Sequence, residues 1–171
     1  MKRKIMTYQW TRGLACLALT LAMLLPAGCG ERHSKAPAPP PAQQAPLFNF
    51  DVYRGVNANA NSGLASLAPG QFAFNPELST FDNPQLAPVQ KPCNYRFQVT
   101  NLPGNPPPVQ GIAGAVTGLL GYTATFDNNP PGHWSINAPA GVTPQQAAAA
   151  VSVYALANRG NVVNGTQQNC N

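Results

Sequence analysis

Residues 141–163 read GVTPQQAAAAVSVYALANRGNVV, and two incompatible patterns overlie each other there. Read as a helix, the stretch carries its own punctuation. Thr143 is a favourable N-cap, Pro144 suits the first helical position, and Gln146 completes a capping box with Thr143. Ala147 to Ala150 are strong helix formers, and Gly160 stands where a glycine often ends a helix. Read as a hairpin, Val151, Val153 and Ala155 line one face and Tyr154 and Leu156 the other, with a turn over 158–161. The coincidence of start and stop signals favours a helix over about 144–158. The hairpin would instead make the domain all-β.

The sequence around this stretch is β-like. Residues 93–101, CNYRFQVTN, alternate Tyr95, Phe97 and Val99 against Asn94, Arg96, Gln98 and Thr100, as a strand with one buried face does. Leu119–Phe126 and the short HWSIN, residues 133–137, read as further strands joined by the turn DNNPPG, with Trp134 and Ile136 inward. NVVNGTQQNC closes the block as a last strand. Upstream, Leu47, Phe48, Phe50, Val52 and Tyr53 mark another strand. Residues 47–92 as a whole read as an extended, partly irregular segment, because Pro69, Pro76, Pro84, Pro88 and Pro92 exclude long helices and central strands. Phe72, Phe74 and Phe81 would pin that segment to the core. The fold expected is α+β, mainly antiparallel β with one C-terminal helix.

Composition narrows the function classes. Only 9% of the 171 residues are charged, while 44% are hydrophobic, and Pro and Gly number 19 and 15. A core can form, but charge is sparse beside the roughly 25% of an ordinary soluble domain. The formal charge of +5 is concentrated at the start, in Lys2, Arg3, Lys4 and Arg12. From Cys29 onward Arg32, Lys35, Arg54, Lys91, Arg96 and Arg159 face Glu31, Asp51, Glu77, Asp82 and Asp127, leaving +1 without a cluster. Nucleic-acid binding requires a basic footprint, so none is expected.

The N-terminus has the layout of a secretory signal peptide: a basic start, the apolar run LACLALTLAMLL over 14–25, then small residues. The run is short of the ~20 residues of a membrane span. LLPAGC, residues 24–29, resembles the lipobox of bacterial lipoproteins, with Ala27 and Gly28 before Cys29. The resemblance implies cleavage before Cys29, lipidation of its thiol, and, with Gly30 rather than Asp following, residence at the outer membrane. Pro26 stands where that family usually has Leu. Ordinary cleavage near Gly28 or Gly30, with a periplasmic or secreted product, is the alternative. Residues 29–46 then form a lipid-anchored linker. Its five prolines favour polyproline II, so the seventeen residues of 30–46 reach on the order of 50 Å.

With Cys16 in the signal and Cys29 in the lipobox, Cys93 and Cys170 remain. In an exported chain they are expected to pair and to close a domain over 93–171. Residues 130–142 and the hairpin reading after them are faintly similar to bacterial immunoglobulin-like repeats, which implies an all-β sandwich as the alternative fold.

The same residues offer little for catalysis. His133 and Asp127 lie six apart across a turn with Ser135 nearby, but without a nucleophile elbow, and they read as polar turn residues. The carboxylates are scattered, and neither HExxH nor an EF-hand loop occurs. No metal and no cofactor are expected. The protein expected is therefore a non-enzymatic outer-membrane lipoprotein, a structural or interaction module of an envelope assembly with a protein partner. A surface-displayed or secreted immunoglobulin-like binding or adhesin module is the alternative. Asn57, Asn59 and Asn61 form a candidate contact loop.

Overall fold

A computed structural model of the chain describes residues 44–85 and 90–171. Cys29, the signal peptide and most of the linker lie outside the described residues.

Among the described residues are seven strands and one α-helix: β1 (Leu47–Val56), β2 (Leu78–Phe81), β3 (Cys93–Pro103), β4 (Ala113–Val116), β5 (Thr123–Phe126), β6 (His133–Asn137), α1 (Pro144–Ala157) and β7 (Val162–Asn164). Six strands close on themselves in the order β1-β2-β6-β5-β4-β3, because β3 pairs back to β1. Every pairing is antiparallel. The closed barrel leaves few unpaired edges. It replaces the sandwich alternative, since the β1–β3 pairing closes one continuous sheet on itself instead of leaving two sheets face to face. β7 lies beside the start of β3, on the edge that carries β4 further along.

The longest seam joins β1 and β3, from Leu47↔Pro103 to Val56↔Cys93. Residues 47–92 thus supply two of the six barrel strands. Along β3, Tyr95, Phe97 and Val99 are buried as the alternation predicts. Continued unchanged, it would turn Asn101 inward. A bulge intervenes: Thr100 and Asn101 together oppose Asn49, and Asn101 takes φ +60. One extra residue flips the register, so Leu102 is buried instead and Asn101 is exposed.

α1 resolves the ambiguity of 141–163. Thr143 Oγ1 accepts from the Gln146 N–H at 3.3 Å, and Gln146 Oε1 accepts from the Thr143 N–H at 2.9 Å. Ala147, Ala148, Val151, Ser152 and Ala155 are buried, a helical spacing. Val151 is 0% exposed and Val153 68%, whereas a strand would put both on one face. Small residues let α1 lie close to the 3₁₀ turn Pro69–Phe72, and Ser152 Oγ donates to the Leu67 carbonyl at 2.7 Å. The expected stop at Gly160 is corrected. Asn158 is the C-cap, its side-chain amide donating to the Tyr154 carbonyl at 2.9 Å, and Gly160 belongs to a following 3₁₀ turn.

The core is aromatic. Trp134 lies between Phe50 and Phe126, with centroids 5.6 and 5.0 Å away. Phe72 meets Tyr95 and Phe97 edge-on at 5.8 and 6.2 Å. Phe72 and Phe74 are buried in this core, as are Trp134 and Ile136, while Phe81 is buried on the other face of the sheet against His133. Cys93 and Cys170 form a disulfide between residues 77 positions apart, tying the start of β3 to the chain end.

Candidate active site

β2 and β6 pair with Leu78↔Ile136, Ser79↔Ser135, Thr80↔Trp134 and Phe81↔His133. Leu78, Thr80, Trp134 and Ile136 are fully buried. Side chains alternate across a strand, so Ser79, Phe81, His133 and Ser135 share the opposite, outer face of the barrel. Phe126 pairs with Trp134 and faces the core, which puts Asp127, the next residue, on the outer face as well.

These residues form one hydrogen-bonded chain. Ser79 Oγ is 2.7 Å from His133 Nε2, His133 Nδ1 is 2.6 Å from Asp127 Oδ1, and Ser135 Oγ donates to Asp127 Oδ2 at 2.6 Å. An ionised carboxylate only accepts, so the proton between Asp127 and the ring sits on Nδ1. In the neutral ring Nε2 then presents its lone pair to the Ser79 hydroxyl. His133 is buried and Ser79 half-buried. The Phe81 ring meets the imidazole at 5.2 Å and 70°, fixing its plane.

The turn between β5 and β6 holds the carboxylate in place. Asp127 Oδ1 also accepts from the Asn129 N–H at 3.1 Å, Asn128 Oδ1 accepts from the Gly132 N–H at 2.8 Å, and the Asn128 N–H donates to the His133 carbonyl at 3.1 Å. Burial alone would push the Asp127 carboxyl up. The donors Ser135, Asn129 and His133 outweigh it and hold the carboxyl below its usual value.

Two further charges adjoin the site. Glu77, two residues before Ser79, offers a carboxylate oxygen within 4.8 Å of ligand atoms of both Asp127 and His133. A divalent cation could bridge such a trio, but it would have to displace the proton shared by His133 and Asp127. Arg54 donates to the Ser79 carbonyl from Nη1 and to the Gln71 carbonyl from Nε, each at 3.0 Å. Burial lowers its pKa.

The structure thus brings together Asp127, His133 and Ser135, which lie close in sequence, and adds Ser79. Sequence reasoning missed Ser79 because only the β2–β6 pairing, across 54 positions, links it to His133. The loop carrying Asn57, Asn59 and Asn61 lies elsewhere. All three residues are exposed, yet Asn57 Oδ1 accepts from Lys91 Nζ at 3.1 Å and Asn59 Oδ1 from the Asn61 N–H at 2.9 Å.

Comparison with protein-family models, curated protein sequences and solved structures returned no match.

Proposed function

We propose that the chain is a bacterial outer-membrane lipoprotein, acylated at Cys29, whose barrel serves as an interaction module of an envelope assembly such as a secretion, conjugation or appendage complex. The observation that carries this reading is the junction between linker and domain. The proline-rich segment ends at Pro46 and the first barrel strand begins at Leu47, the layout of a domain on a spacer. The Cys93–Cys170 disulfide supports an oxidising compartment.

A contact surface is also at hand. Leu120, at the tip of the β4–β5 turn, is 98% exposed, and Val153 and Leu156 are exposed on α1. Turn and helix meet where Gly118 lies against the Tyr154 ring; a Cβ at Gly118, whose φ is +76, would collide with that ring. Exposed apolar side chains on the turn and on the helix packed beside it favour a protein partner. Crosslinking in intact cells, followed by capture from the outer-membrane fraction, tests the module role. A discrete partner recovered with the wild type and lost with Leu120→Asp, at unchanged melting temperature, is expected. Recovery of the same set of proteins with both forms would contradict the assigned surface.

A further inference from the structure

We propose that Ser79, His133 and Asp127 constitute an acyl-transfer site on the outer face of the barrel, with Ser79 as nucleophile, His133 as general base and Asp127 as the residue that positions it. This adds an activity to the tethered module and departs from the expectation of a non-enzymatic protein, which considered only Ser135 as nucleophile. Three groups must be in series for this chemistry: a hydroxyl, a base accepting its proton, and a third group fixing the base. Here they stand at 2.7 and 2.6 Å, with the tautomer set by the carboxylate. The remaining oxygen of Asp127 is occupied by Ser135, so the carboxylate cannot swing away without losing that bond. His133 is buried, while Ser79 and Asp127 are half-buried, so a substrate meets Ser79 rather than the imidazole.

The step balances without a cofactor. Ser79 Oγ bonds to the carbonyl carbon of an ester as its proton passes to His133 Nε2. The carbon–alkoxy bond then breaks, and the alcohol leaves with that proton. Water repeats the sequence, giving up a proton to Nε2, forming the carboxylic acid and returning the proton to Ser79 Oγ. The developing oxyanion needs a donor. N–H and C=O of one residue point to the same side of an extended strand, and the Ser79 carbonyl faces Arg54. The Ser79 N–H therefore lies on that side too, away from β6, and is the donor assigned. Among the described residues, Glu77 and Asp127 outnumber the one adjoining cation, Arg54, and leave the surroundings net negative, so the substrate class is a neutral or cationic carboxylic ester rather than an anionic one.

The test is covalent labelling of the full chain in detergent micelles with a fluorophosphonate, alongside hydrolysis of p-nitrophenyl acetate. The expected result is one adduct, on the peptide carrying Ser79. Ser79→Ala should abolish it, and His133→Gln should slow both reactions at least about a thousandfold. Asp127→Asn should slow labelling while Asp127→Glu restores part of it, a difference that a purely structural carboxylate would not make. If Ser79→Ala does not fold, Ser79→Cys keeps the test open: its thiol should be alkylated by iodoacetamide faster than the same variant combined with His133→Gln. A folded wild type that forms no adduct, or an adduct that persists in Ser79→Ala, would overturn the proposal and leave the chain of bonds as a stitch between β2 and the β5–β6 turn.

Discussion

Gly132 ends the DNNPPG turn with φ +80, and a Cβ there would stand 2.5 Å from Asp82 Oδ1. Gly132→Ala therefore meets both a disfavoured backbone and the shielded Oδ1 of the half-buried Asp82. It should cost about 1–3 kcal/mol, read as a lowered denaturation midpoint, and should disturb His133, the next residue. Asp127 gives the turn a pH signature. Its folded pKa lies below the ordinary value of 3.8, so its contribution to stability is complete above about pH 4 and is lost as the pH falls through the folded value. Acid unfolding of Asp127→Asn should be shallower over that window than that of the wild type. At this scale much was legible. The turn and the inward Trp134 and Ile136 follow from Gly/Pro/Asn chemistry and alternation. Asn101 was not legible: an αL bulge leaves no pattern of its own in NYRFQVTNL, and the alternation points past it.

Among the elements, α1 and β2 make the contrast. α1 announces itself locally, because capping depends on residues three apart in sequence, and both bonds of the box form. What propensity left open was the period, and burial answers it. Val151→Ala should cost about 2 kcal/mol, while Val153→Ala should stay within about 0.5 kcal/mol. Equal effects would restore the hairpin register, in which both face the same way. β2 is only four residues long and sits between Pro76 and Pro84, so no window is long enough to show a period. Its strand character comes from β6, through four paired residues and Thr80 Oγ1 donating to the Trp134 carbonyl at 3.1 Å. The candidate site inherits that blindness. His133 and Asp127 are visible as neighbours across a turn, but Ser79 joins them only once β2 is placed.

The whole molecule closes through contacts distant in sequence. β1 with β3, β2 with β6, and Cys93 with Cys170 each bridge long stretches of chain. The cysteine pair was readable because two thiols left over in an exported chain have only each other, whereas strand partners carry no such label, so barrel closure was not. Tyr95 reports on this closure. It is fully buried, its hydroxyl donates to the Asn158 carbonyl at 3.3 Å beyond α1, and burial pushes its pKa up to about 12. A raised phenol pKa stabilises the fold fully below the ordinary value of 10 and progressively less as the pH rises toward 12. Alkaline unfolding should therefore begin above pH 10, and Tyr95→Phe should remove the phenol's part of that pH dependence. Beyond the barrel, the lipid tether proposed for the domain has one direct measurement: the intact mass and membrane partition of the wild type and of Cys29→Ala, expressed in a bacterium. The expected result is a mature chain beginning at an acylated Cys29, sedimenting with the outer membrane, and a variant with neither the acyl mass nor the membrane association. A wild-type product without acyl mass, cleaved near Gly28 or Gly30 and recovered in the periplasm or medium, would contradict it.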